Sequence, residues 1–122
     1  MLNHVVLVGR LVRTPELNKT ESGKSIMTIT LAVTKPYKNM DGEYESDFIE
    51  CTLFQGIAEN TLQYVKKGDL IGVKGHLGSY QGEKEGEKYY KTNQLIVERV
   101  TFLSSKEKEE VKEEKKKKQN AE

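Results

Sequence analysis

The chain carries a single cysteine, Cys51, and only two histidines, His4 and His76. One thiol allows no intrachain disulfide, and a reducing compartment is the simple reading. No HExxH, CxxC, GxSxG or phosphate-loop pattern occurs, so the familiar metal, nucleophile and nucleotide motifs are missing. Neither catalysis nor a metal or other cofactor is expected. No stretch approaches the length of a membrane span. The apolar opening MLNHVVLVGR is short, follows no basic region and leads to no small-residue cleavage site. It reads as a strand rather than a signal peptide. The expectation is a soluble, cytoplasmic protein with no membrane partner. A surplus of positive charge is also missing, since the formal net charge is +1. Any anion-binding surface must then come from local placement of charge.

Charge is plentiful but unevenly spread. Apolar residues make up 35% and charged residues 32% of the 122. Lys106 to Glu122 alone holds seven Lys and six Glu, with Val111 as its one large apolar residue. Such a segment cannot bury enough surface to offset its ordering entropy. The expected organisation is one domain over residues 1–105 and a disordered Lys/Glu-rich tail over 106–122. The domain is long enough for a small single core.

The stretch around which the domain is organised is DFIECTLF, Asp47 to Phe54. In a strand, successive side chains point to opposite faces. Ile49, Cys51 and Leu53 make an ordinary core face, where Cys51 acts as a small hydrophobe. Phe48, Glu50, Thr52 and Phe54 make the other. Two large rings on a polar face offer platforms for flat partners, and nucleic-acid bases stack on aromatics in a sequence-tolerant way.

Before this strand, Asn3 to Val12 is a β-branched run apolar on both faces: Val5, Leu7 and Leu11 against Val6, Val8 and Val12. Burial on both sides is expected, with a subunit interface as the economical second cover. Gly9 suits a bend within it. Arg13 to Lys24 reads as a connection. Ser25 to Thr34 alternates cleanly, Met27, Ile29, Leu31 and Val33 against Thr28, Thr30, Ala32 and Thr34. Lys35 to Ser46 reads as a polar loop carrying Tyr37. The alternating Asp41, Glu43, Glu45 and Asp47 lack the spacing of a calcium loop and read as solvated.

After the strand, Gln55 and Gly56 break the extended pattern. Ile57, Ala58, Leu62 and Val65 then fall at helical spacing, with Lys66, Lys67 and Gly68 as the stop. Leu70 to Leu77 is extended again, with Ile71, Val73 and Leu77 against Lys74 and His76. Ser79 to Glu87 reads as a Gly-rich hairpin loop carrying Tyr80. Tyr89 to Leu103 is a last long strand whose alternation assigns no faces.

The fold class is therefore all-β. Five strands with one short helix between the third and fourth, in about 100 residues, match the oligonucleotide-binding (OB) barrel. Loops flank the binding face of such a barrel, which brings Tyr37 and Tyr80 to Phe48 and Phe54. Lys35, Lys74 and Lys91 fall beside those aromatics, with His76 a further candidate. Rings interleaved with cations are what a base-stacking groove requires. The single short helix carries no features of a duplex-reading element.

MLNHVVLVGRL, SGKSIMTITLAV, SDFIECTLFQGIAENTLQYVKKGDLIGVKGHL and VERVTFL together resemble the bacterial single-stranded DNA-binding proteins, phage versions included. The resemblance spans about residues 1–103. It implies an OB-fold homotetramer with single-stranded DNA wound around it, serving replication, recombination or repair. It also implies stacking roles for Tyr37, Phe48, Phe54 and Tyr80. Three departures stand out. Family members often place Trp at some of these positions and this chain has none, which implies weaker contacts per site. HLGSYQGEKEG is shorter than the family's stretch and lacks its arginine. The chain ends KKKKQNAE rather than in an acidic tip closed by Pro and Phe, so recruitment of partner proteins by that route is not expected. Two other readings of the barrel remain: a single-stranded RNA binder, and a primosome-type protein-interaction adaptor with aromatic hot spots.

Overall fold

The computed structural model describes residues 1–105; the expected disordered tail, 106–122, lies outside the described residues. Six strands and one helix run in the order β1 (Val5–Leu11), β2 (Leu17–Lys19), β3 (Ser25–Lys38), β4 (Tyr44–Phe54), α1 (Gln55–Tyr64), β5 (Leu70–Lys84) and β6 (Glu87–Ser104). Five of the strands close a barrel, as the OB pattern requires. β2 is a three-residue addition, inside the expected connection, that pairs with the start of β3.

Closure depends on β1. Its residues Val5 to Arg10 pair antiparallel with β5, and Arg10 and Leu11 then pair with β3. The strand must bend between two partners, and Gly9 sits at the bend. A Cβ there would lie 2.7 Å from the Ala32 carbonyl oxygen, closer than any side chain tolerates. The other seam is the parallel contact of β4 with β6, confined to Cys51↔Leu95 and Thr52↔Ile96.

The core matches the alternation. Met27, Ile29 and Leu31 from β3 meet Cys51 and Leu53 from β4, Ile71 and Val73 from β5, Leu95 and Val97 from β6, and Leu11 from β1. Each large aliphatic buried this way contributes about 1.5–3 kcal/mol. α1 covers one mouth of the barrel through Ala58, Thr61 and the adjoining Val65. Thr61 takes the place expected for Leu62, which is 37% exposed. Small residues at the centre of the helix face let it sit close to the barrel, and Leu62 falls at the margin. The Ser25 hydroxyl donates to the Glu59 carboxylate at 2.7 Å and ties α1 to β3.

The helix stop also differs from expectation. No basic residue lies in the last turn, and Val65 ends the helix in an extended conformation with its N–H on the Thr61 carbonyl. Gly68, at φ +91°, serves a turn instead. Its N–H donates to the Leu11 carbonyl at 2.8 Å, and Leu11 N–H donates to the Asp69 carbonyl at 2.9 Å. The stop is thus a clasp onto β1.

Both expected loops are mostly strand. β3 and β4 run on to a turn at residues 39–43, where the Asn39 side-chain oxygen accepts from the Asp41 and Glu43 N–H groups. β5 and β6 continue into a long hairpin that reverses at Glu85 and Gly86, both at positive φ. Leu77, expected in the core, is 54% exposed. Beyond Gly75 the strand leaves the barrel, and the Asn3 side chain takes up both the N–H and the carbonyl of Leu77.

The unassigned faces of β6 have a structural cause. Its pairing with β5 shifts three times, between Leu70 and Ile71, Lys74 and Gly75, and Gly78 and Tyr80. Each shift adds a residue on the β6 side and flips the parity of the rungs beyond it. Leu95 and Val97 therefore point inward, while Glu98 is the extra residue before Arg99 and Val100.

Candidate nucleic-acid interface

The outer surface of β3 and β4 is set by an unbroken antiparallel register from Ile26↔Phe54 to Thr34↔Ser46. Phe48 stands opposite Ala32 and is 69% exposed. Nothing among the described residues covers that ring. Phe54, six residues on, shares the face at roughly 20 Å along the strand. It is half-buried, with the Tyr80 ring meeting it edge-on at 5.5 Å and 88°. The Lys91 ammonium lies 5.8 Å from the centre of the Tyr80 ring, a cation–π arrangement. Phe54, Tyr80 and Lys91 thus form one cluster, with Lys91 brought across from Tyr80 by the β5–β6 register.

Between the two phenylalanines the surface is less open than alternation alone implies. Thr52 is buried, and its hydroxyl donates to the Gln94 side-chain oxygen at 3.2 Å. Gln94 in turn donates to the Thr92 carbonyl at 3.2 Å. The parallel seam holds this pair in place, so a polar floor joins the cluster to Phe48.

The other sequence candidates lie farther away. Tyr37 is 64% exposed on the part of β3 that projects past the barrel. The register slips between Thr34 and Lys38, where Pro36 has no N–H to offer. The Lys35 ammonium is paired with Asp47, and that hydrogen bond holds its pKa above the usual lysine value. Lys74 stands opposite Val6 and Arg99, past the aromatic row. His76 contacts the Glu98 carboxylate through Nδ1 at 3.0 Å, so a negative group stands beside it. The structure brings Phe54, Tyr80 and Lys91 together; it keeps Tyr37 and Lys35 at one end, and sets His76 level with Thr52, across the sheet through Ile96, with Lys74 further along β5.

Three tyrosines escape the sequence reading. Tyr44 lies under the Lys38 ammonium at 5.6 Å. Tyr89 and Tyr90 stand on opposite faces of the β5–β6 hairpin, opposite Gly82 and Gln81 respectively. The Tyr89 ring fills the space over Gly82, where a Cβ would come within 2.3 Å of it. Glycine facing an aromatic across a hairpin is the signal that could have found it. Cys51 is fully buried, and burial pushes its thiol pKa up to about 12, consistent with a core role.

The profile of the single-strand binding protein family matches residues 2–103. The chain belongs to this family. Its relatives include single-stranded DNA-binding protein 3 of Listeria innocua, 46% identical over 108 residues, which cover 87% of this chain and 66% of that protein. Single-stranded DNA-binding protein B of Bacillus subtilis is 42% identical over 111 residues, covering 89% of this chain and 96% of that protein. Against the Listeria relative the chain spans just under two thirds of the length, whereas the Bacillus relative is almost fully covered. A crystal structure of a deletion mutant of the single-stranded DNA-binding protein from Thermus aquaticus superposes with a TM-score of 0.65 at 30% identity, over 86% of this chain and 52% of that one. Among the described residues no helix is long and apolar enough to cross a membrane.

Proposed function

We propose that the protein binds single-stranded DNA without sequence preference, as a homo-oligomer acting in replication, recombination or repair. Phe48 is the observation that carries this reading: a large ring on a regular strand, 69% exposed, with no cover among the described residues. Bases stack on Phe48, Phe54 and Tyr80, and Lys91 tracks the backbone. Tyr37 and Lys35 serve the strand at one end of the face, and Lys74 and His76 along its β5 side. Stacking of this kind is worth about 1–3 kcal/mol per base and ignores base identity, because every base has a π-face.

Assembly rests on a different surface. Val6 and Val8 on β1 are 69% and 50% exposed, and Leu103 on β6 is 49% exposed. A β-branched strand with one face uncovered is a natural self-complementary interface, and a tetramer is the state the family resemblance implies.

Titration of labelled dT, rU and duplex oligomers of equal length tests the reading. Tight dT binding that weakens with salt and exceeds duplex binding is expected. Preference for rU would assign the barrel to RNA, and binding indifferent to salt would favour a protein-interaction role.

A further inference from the structure

Between Gly78↔Gln94 and Tyr80↔Lys91, β5 contributes one residue, Ser79, and β6 contributes two, Thr92 and Asn93. This is a β-bulge. Asn93 is exposed and lies at φ +55°, in the left-handed region. Glycine is the usual occupant of that region, and Asn is one of the few other residues that visit it routinely. The bulge is braced on both sides. The Gln94 side chain reaches back over Asn93 to the Thr92 carbonyl at 3.2 Å, and its oxygen accepts from the Thr52 hydroxyl of β4. On β5, Gly78 packs so closely that a Cβ would lie 2.9 Å from Ile96 Cδ1. The kink falls just before Leu95, the first residue of β6 to pair with β4.

The extra residue decides what lies beyond it, because directly opposite residues share a face of the sheet. Carried on without it, the register of Gly78↔Gln94 sets Thr92 opposite Tyr80 and Lys91 opposite Gln81. With it, Lys91 stands opposite Tyr80, its ammonium 5.8 Å from the ring centre, and that ring meets Phe54 edge-on at 5.5 Å. The same shift sets Tyr89, rather than Tyr90, opposite Gly82, where its ring fills the space over the glycine. We propose that Asn93 is a positioning residue for single-stranded DNA binding. It stacks on no base; it acts by holding the bulge that delivers Lys91 to Tyr80 and Tyr80 to Phe54. The inference rests on the single-stranded DNA reading above and deepens it, naming what sets the geometry of the stacking cluster. A side chain that resists the left-handed region displaces the bulge, and the register beyond Gly78 slips. A glycine at this position keeps it.

Two substitutions separate backbone from side chain. Asn93→Gly retains the left-handed conformation and is expected to bind dT oligomers within about two-fold of the parent. Asn93→Val opposes that conformation and is expected to weaken dT binding about ten-fold, the loss of one stacking contact, with urea unfolding showing the barrel still folded. Tyr80→Ala is then combined with each. Its cost is expected to be about ten-fold in the parent and in Asn93→Gly, but under about two-fold in Asn93→Val, where the ring is already misplaced. A merely structural role leaves that cost the same in every background. Parent-like binding by Asn93→Val, equal weakening by Asn93→Gly, or a Tyr80→Ala cost that is absent in the parent or uniform across the three backgrounds overturns the proposal. If Asn93→Val does not fold, Asn93→Ala, with a milder left-handed penalty, takes its place under the same criteria. A parent protein that fails to bind dT overturns the function itself and the positioning role with it. A parent that binds dT and is weakened by Phe48→Ala and Tyr80→Ala, whatever residue stands at 93, overturns the positioning role alone.

Discussion

The two long hairpins of the barrel are built to different rules. β3 and β4 keep one register from Ile26↔Phe54 to Thr34↔Ser46. Inward and outward residues therefore alternate along the sequence without interruption. β5 and β6 change register three times, and each change reverses which side of β6 faces the core. The regular hairpin presents Phe48 to solvent and lays no other ring against it. The irregular one brings the Tyr80 ring edge-on to Phe54 and sets Lys91 over Tyr80. A regular ladder displays; a bulged one re-aims.

The sharpest way to break the contrast is at Gly75. A Cβ there would lie 2.0 Å from the Ile96 carbonyl oxygen, next to the register shift. Gly75→Ala is expected to cost about 3 kcal/mol in urea unfolding, in the range of large core or strain effects. Thr28→Ala, exposed on the regular hairpin, is expected to cost under about 1 kcal/mol. Equal losses would show that the bulge does not depend on this glycine.

The second comparison is between the two phenylalanines. Each alanine substitution is expected to weaken dT binding by about 1–3 kcal/mol. Phe48→Ala should leave stability within about 0.5 kcal/mol of the parent, because the ring is exposed. Phe54→Ala should also lose roughly 1 kcal/mol of stability from its edge contact with Tyr80. Thermal melts beside binding isotherms separate the two effects.

A smaller change is expected from Asp47→Asn. It releases the Lys35 ammonium from its carboxylate and should tighten dT binding about two-fold at low salt, an advantage that fades at high salt. For Lys35, whose pKa is raised, the pairing is intact below its ordinary value of 10.5 and is lost only as pH rises through the higher folded value. The pair's contribution to stability is therefore flat across neutral pH.

The smallest expected effect is at Cys51. With its thiol pushed up to about 12, the folded protein should resist alkylation at pH 8 and react once unfolded. The raised value favours the folded state below about pH 9, and that advantage is lost as pH rises toward 12. Rapid labelling of the native protein would place the thiol outside the core.

Legibility in the sequence divides along the same line. Met27, Ile29, Leu31 and Leu53 declare their faces because β3 and β4 alternate without a break, and Phe48 and Phe54 stand out against that background. The helix is visible in its change of period, but hydrophobicity alone favours Leu62 over Thr61 and misses the fit of a small residue against the barrel mouth. β6 defies assignment because period-two reasoning fails wherever an extra residue enters a strand. The same failure hides Tyr89, whose place depends on a hairpin that composition marks as a loop. His76 is a candidate by its place on the polar side of Leu70 to Leu77, yet the strand paired with its own delivers the Glu98 carboxylate beside it.

The parallel seam between β4 and β6 has a consequence for the motion of the molecule. The barrel is stitched there by two rungs only, Cys51↔Leu95 and Thr52↔Ile96, next to the Thr52–Gln94 bond. It joins segments roughly 40 residues apart in the chain, so closing it carries a large loop-entropy cost that local pairing does not share. The seam should close last in folding and open first in native-state fluctuations, with the amides of Thr52 and Ile96 exchanging faster than those in the middle of β3. On the proposed path, a strand of DNA running from Phe48 to Tyr80 crosses this gap. Binding then acts as a stitch, slowing exchange at a seam that the chain itself closes only lightly.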